Sequence, residues 1–218
     1  MIIMNFITTF KDVLIEALKE HKKMIIILYA VFIILFIGSW LFVSDSASST
    51  FQNIQNMSAA TPSPVVSDLS PLDLFIHNGV GGLIYYLGSI FFAIPAIVQV
   101  IYNGLNLGAV GPVLEAVHAG GGLQYIIYLI PHGIFEITGT ILQSAAGILL
   151  FKFIWVFLKN IAIKDNGKRL SVRQSFEKNK KVLIQSIAII IFATILMAIA
   201  APIEAYFSVP FSDWIFGL

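Results

Sequence analysis

The chain has 218 residues, 58% of them apolar and only 11% charged, with a mean hydropathy of +0.89. A soluble domain runs near 45–50% apolar and about 25% charged, so too few charges are present here to cover a water-facing surface, and a soluble fold is excluded. The net charge of +1 offers no footprint for nucleic acid, and the lack of cysteine excludes disulfides, thiolate metal sites and a cysteine nucleophile.

The few charges are segregated. Lys11, Lys19, Lys22 and Lys23 precede the first apolar run, Lys152 stands alone, and eight of the 13 basic residues fall between Lys159 and Lys181. Short cytoplasmic segments collect Lys and Arg, so both blocks belong on the cytoplasmic side, and the chain between them crosses the bilayer an even number of times.

Taken in chain order, residues 1–23 carry Ile3, Phe6, Ile7, Phe10, Val13, Leu14, Ala17 and Leu18 at three- to four-residue spacing, with Lys11, Asp12, Glu16, Lys19 and Glu20 around the remaining face. This pattern predicts an amphipathic helix in the cytoplasmic interface, with a partner-binding helix as its other reading. Residues 24–43 form the first span, an uncleaved anchor, because the leader and apolar core are both too long for a signal peptide. Residues 44–73, rich in Ser, Ala, Asn, Gln and Pro, predict a partly ordered outer loop. The sequon Asn56-Met57-Ser58 lies within it, a triplet common by chance.

Residues 82–102 read as a second span interrupted by Pro95, which membrane helices tolerate. With 132–158 and 182–202 as further spans, parity demands one more crossing, and 105–118 is where it must lie. Fourteen residues reach only about 21 Å as a helix, so this is a short third span, broken by Gly120-Gly121-Gly122 and followed by a partial dip of 123–130 into the outer leaflet. The cytoplasmic basic loop 159–181 contains Ser171 and Gln174, the pattern of a capping box opening a short helix into the last span. The tail 207–218 is outside. The expected fold is therefore all-α: a multipass membrane helix bundle of about five transmembrane helices in the cell membrane, N-terminus cytoplasmic and C-terminus outside.

Parity also gathers Glu115, His118, His132, Glu136 and Glu204 at the outer face. His132 and Glu136 are four apart and Glu115 and His118 three apart, so each pair shares a helix face. Ionisable groups at this depth normally have partners or a task. Three readings fit: a structural cluster locking the last two spans together, a site for zinc or a similar divalent ion on His132, Glu136 and Glu204, and a polar path for an ion or small substrate. No His-Glu-x-x-His helix supports a metalloprotease. Gly104, Gly108 and Gly111 on the third span, with Gly133 and Gly147 on the fourth, read as close helix-packing positions. Gly79-Val80-Gly81-Gly82 precedes a span rather than a nucleotide-fold turn and carries no phosphate cradle.

Leu129-Ile130-Pro131-His132-Gly133-Ile134-Phe135-Glu136, then Ala145-Ala146-Gly147 and Ile203-Glu204-Ala205-Tyr206, closely resembles the signature of the stage II sporulation protein M (SpoIIM) family. Phe75-Ile76-His77-Asn78, Asn103-Gly104 and Leu107-Gly108 are similar to its earlier stretches. The likeness runs from about Leu14 to Tyr206, and Pro-His-Gly-x-x-Glu is its most specific part. Thr138 stands where many members carry proline, and Glu115 and His118 match no motif of the family. The resemblance implies a multipass membrane protein which, in endospore formers, acts in engulfment as a scaffold holding cell-wall-degrading partners on the outer side. Relatives occur in organisms that never sporulate. Position by position, His132, Glu136 and Glu204 carry over.

The leading expectation is a non-enzymatic protein that needs no cofactor and organises membrane or cell-envelope partners, or membrane shape, within the lipid bilayer. Whether copies of the chain associate is left open. The alternative is a permease or channel component using the His/Glu cluster as its site, and a metal-dependent membrane enzyme ranks behind both.

Overall fold

The structure, a computed structural model, describes residues 2–58, 70–163 and 169–217, with side chains from residue 8 onward and excluding 47–58. Asn56 of the sequon and residues 59–69 of the expected outer loop thus fall outside what is described of side chains or backbone. Every described element is helical. Four helices are long and apolar enough to cross a membrane: α2 (Lys22–Ser58, apolar over Lys22–Ser46), α5 (Ile94–Val117), α6 (Gly121–Ala162) and the helix that starts as α7 (Val172–Ile203). This is an all-α membrane bundle in contact with lipid. The exposed large side chains of α2, among them Ile26, Ile34 and Phe42, face outward where only an apolar solvent suits them.

The sequence expectation of a span over 82–102 is overturned. Residues 71–88 form a run of three joined pieces: α3 (Pro71–Phe75), a π-helical turn π1 (Ile76–Val80) and α4 (Gly81–Gly88). At 1.5 Å per residue this leg reaches about 27 Å. The chain then reverses through residues 89–93, where Phe92 and Ala93 take left-handed backbone angles (φ 61 and 56). Pro95 is not a kink but sits in the first turn of α5, where its missing N–H costs nothing. The short third span is corrected accordingly: α5 is 24 residues long and starts at Ile94. The dip of 123–130 is also not separate, since α6 runs unbroken for 42 residues from Gly121 through Pro131. Likewise, α2 continues to Ser58 rather than ending at Val43.

Helix α7 opens on the expected capping box, with Ser171 Oγ accepting from Gln174 N and the Gln174 side chain accepting from Ser171 N. It continues directly into the span instead of forming a separate short helix. A second π turn, π2 (Glu204–Ser208), and α8 (Val209–Phe216) complete the chain, so the expected tail is helical and packs back on the start of α6.

Close packing holds the bundle. Gly104, Gly108 and Gly111 line the face of α5 that meets α2. A Cβ at Gly108 would strike the Phe36 carbonyl, and one at Gly111 the Trp40 ring. On α6, a Cβ at Gly147 would fall 2.7 Å from Ser89 Oγ, whereas Gly133 lies against Leu129 of its own helix. Ile141, Ala145 and Ala146 of α6 are fully buried, as is Ile189 of α7.

The amphipathic helix α1 (Ile2–Glu20) departs from expectation in its partner. Its apolar stripe docks on α7: Ala17 is fully buried in a cluster with Ile189 and Ile190, and Phe10 and Val13 share a groove with Ile187 and Ile191. Glu20 meets Lys181, so α1 runs antiparallel to the start of α7, because burial against a second apolar helix satisfies the stripe as well as lipid does.

Candidate functional site

At the end of the bundle opposite Lys181, α6 supplies His132 and Glu136, one turn apart on the same face. His132 is only 2% exposed. Its Nε2 faces Glu136 Oε2 at 3.8 Å, beyond hydrogen-bonding reach. Its Nδ1 lies 2.8 Å from Ser208 Oγ, and that hydroxyl donates to the Ile203 carbonyl five residues back, at 3.2 Å. A hydroxyl has a single proton, so toward the ring Ser208 accepts. With the Ser208 proton on the Ile203 carbonyl, the proton of a neutral imidazole falls on Nδ1, and Nε2, the nitrogen nearer Glu136, is left with the lone pair.

Glu204 reaches the same place from π2. Tyr128, a turn before His132 on α6, donates to Glu204 Oε1 at 3.3 Å and sets its ring edge-on to the imidazole, centroids 5.0 Å apart. Glu204 Oε2 is buried with no hydrogen-bond partner among the described residues. One ligand-capable atom from each of His132, Glu136 and Glu204 lies within 4.8 Å of the other two. Three acceptors facing one another in a low-dielectric setting call for a proton or a cation between them.

Glu136 also walls a cavity of about 320 Å³ shared with His77, Asn78, Tyr85, Gln99, Tyr102, Asn103 and Thr140. The π1 turn brings His77 and Asn78 to it, so both π turns serve this end of the bundle, as π segments often do at functional sites. Behind the cavity, Gln99 Nε2 donates to Gln143 Oε1 at 2.8 Å, Ser144 Oγ donates to Gln99 Oε1 at 3.2 Å, and Asn103 Nδ2 donates to the Gln99 carbonyl at 2.8 Å. Gln143 Nε2 is buried with no hydrogen-bond partner among the described residues. Its amide occupies the space above Gly82, where any Cβ would collide with it.

Two of the five residues expected to converge do other work. Glu115, on the last turn of α5, accepts from Gly120 N at 3.1 Å and Gly122 N at 2.9 Å, so it caps the start of α6. His118 is the extended residue that ends α5 and lines a mostly apolar groove with Tyr125, Tyr128 and Asp213. The reason is the turn at residues 118–120, which spends the carboxylate on otherwise orphaned amides. Conversely, Tyr128, Ser208, Gln99 and Gln143 are absent from the sequence expectation. Tyr128 stands at i−4 from His132, and an amide in the middle of an apolar run is itself a signal. Ser208 carried none.

At the opposite, basic end, Lys181 Nζ bridges Glu16 Oε1 at 3.0 Å and Glu20 Oε2 at 2.9 Å, Gln185 Nε2 donates to Glu20 at 2.8 Å, and His21 Nε2 lies 3.0 Å from Gln185 Oε1. The Lys181 ammonium, then the Gln185 amide, hold the Glu20 carboxyl down at about 2.

The family model described as stage II sporulation protein M matches residues 25–209, most of the chain. No curated protein and no solved structure matches it.

Proposed function

The chain belongs to the stage II sporulation protein M family, and we propose that it binds a small cationic or neutral polar solute at the polar end of its membrane bundle, as a permease or channel component rather than an enzyme. What supports this reading is the cavity of about 320 Å³ walled by amides, hydroxyls and imidazole, with Glu136 as its one carboxylate. That volume falls in the range of small-molecule sites, roughly 300–1,000 Å³. Neither residues 24–151 nor residues 182–218 contain a lysine or arginine, so the local potential favours cations and repels anions. Apolar side chains would pack this space more cheaply, and the cavity is instead lined by the side chains of Gln99, Asn103, Tyr85, Tyr102 and Thr140.

With both basic blocks cytoplasmic, this end lies at the outer face of the cell membrane, with the N-terminus inside and the C-terminus outside. The test is flux in proteoliposomes of Tl⁺, methylammonium and Mn²⁺. At least one probe should move faster than in protein-free vesicles, and Gln99→Leu or Asn103→Leu should suppress that movement while the protein stays monodisperse. A folded protein that moves none of the three, and that cross-links to cell-envelope proteins in native membranes, would favour the scaffold role implied by the family resemblance.

A further inference from the structure

We propose that His132, Glu136 and Glu204 form a binding site for a divalent transition-metal cation of the zinc class. The inference rests on the reading of this end as a cation-binding site and names the cation it takes.

His132 is 2% exposed, and its Nδ1 is engaged by Ser208, whose own proton goes to the Ile203 carbonyl. A metal-bound histidine is characteristically held in this way: an outer partner on one nitrogen fixes the tautomer and aims the other nitrogen's lone pair. Here the other nitrogen, Nε2, has the Glu136 carboxylate as its neighbour, 3.8 Å away, and no hydrogen-bond donor among the described residues. On the third side Glu204 presents an oxygen that is buried and unpartnered, while its other oxygen is oriented by Tyr128. Two carboxylates and a bare imidazole nitrogen carry up to two negative charges and no internal donor, so a divalent cation is the natural complement.

The donor chemistry selects the metal class. One imidazole with two carboxylates is a set favoured by Zn²⁺, Mn²⁺ or Fe²⁺, whereas Mg²⁺ and Ca²⁺ prefer all-oxygen sites. Tetrahedral zinc bonds put ligand atoms roughly 3.4 Å apart, so the present spread, up to 4.8 Å, has to contract when the cation binds. Three protein ligands leave a fourth position, and Glu136 is shared with the polar cavity.

The test uses the full-length protein purified in detergent and stripped with chelator. Equilibrium dialysis against about 1 μM free Zn²⁺, followed by elemental analysis, should return about one zinc per chain. Glu136→Gln, Glu204→Gln and His132→Gln should each drop this below about one fifth, while Glu115→Gln keeps it, because Glu115 lies outside the site. In case the triad variants fail to fold, Co²⁺ substitution of the unaltered protein gives an independent readout: X-ray absorption should report one imidazole in a nitrogen/oxygen shell. Less than about one tenth of an equivalent in the unaltered protein, or zinc retained by all three folded triad variants, overturns the proposal. If zinc binding fails while Tl⁺ or methylammonium flux persists, the cavity reading survives without the metal. If zinc binds and no probe moves, the metal is structural and the permease reading falls instead.

Discussion

Ser208 Oγ lies 2.8 Å from His132 Nδ1 across 76 positions of chain, and it is the contact that decides which imidazole nitrogen is free. Replacing the hydroxyl by hydrogen leaves the ring without its outer partner in a fully buried place. Ser208→Ala should lower stability by about 1–2 kcal/mol, the cost of an unsatisfied buried polar group. It should also weaken zinc binding about ten- to a hundredfold, the usual effect of losing a partner outside the metal's own ligands. Thermal unfolding in detergent and competition with a zinc dye measure the two effects separately. A variant that loses stability but keeps full zinc affinity would mean that Ser208 supports only the fold.

The α2–α5 contact is sensitive to single methyl groups. Gly108 sits directly on the Phe36 carbonyl, and the backbone there cannot move aside without separating the helices. Gly108→Ala should therefore cost about 1–3 kcal/mol, as overpacking does. Gly38, on α2 with nothing within 4 Å of its would-be Cβ, provides the contrast. Gly38→Ala should be neutral, or stabilise by up to about 1 kcal/mol through helix propensity. Equal losses in the two variants, measured as unfolding temperature in one detergent, would mean that α2 and α5 do not meet as described.

The proximity of His132, Glu136 and Glu204 was legible from two simple signals: i, i+4 spacing of the first two on one helix, and two successive apolar runs that bring the start of one beside the end of the next. The hairpin was not. Pro95 in an apolar run suits either a kinked span or the first turn of a new helix, and the reversal before it is made by Phe92 and Ala93 in left-handed geometry. Glycine would have announced such a turn; a bulky or β-carbon-bearing residue does not, since its conformation is imposed by tertiary packing at a cost of roughly 1–2 kcal/mol each. The π turns that present His77 and Glu204 were equally silent, because nothing in composition distinguishes i→i+5 from i→i+4 pairing. Glu115 misled for a local reason: the amides of Gly120 and Gly122 outcompeted the distant cluster for its carboxylate.

The hairpin has a distinct topological signature. Phe91 is 72% exposed in the turn, and its neighbour Phe92 sets its ring at a tilt against Phe151, one position before Lys152. With the native chain free of cysteine, Phe91→Cys should react with an impermeant thiol reagent only after the membrane is opened, as should Ser171→Cys. Ala119→Cys, exposed between α5 and α6, should react from outside. Asn106→Cys, midway along α5, should resist from both sides. If position 91 resists under every condition, the leg over residues 71–88 does not reach the far interface.

At the basic end, the clasp between α1 and α7 should depend on pH in a direction set by Glu20. Lys181 and Gln185 hold its carboxyl at about 2, below its ordinary value of 4.5. A group depressed in the folded state adds stability that is fully present above the unfolded value and is lost as pH falls toward the folded one. The window is therefore about pH 5 down to 2, within which Lys181 stays protonated throughout. The pair is solvent-exposed, with 56% of the lysine and 44% of the glutamate side chain accessible, so salt should shrink the effect. A spin label at Lys19→Cys, on the exposed face of α1, should gain mobility as pH is lowered through this window, and Glu20→Gln should flatten the profile while raising mobility at neutral pH. An unchanged profile in that variant would shift the titration to Glu16, which also contacts Lys181.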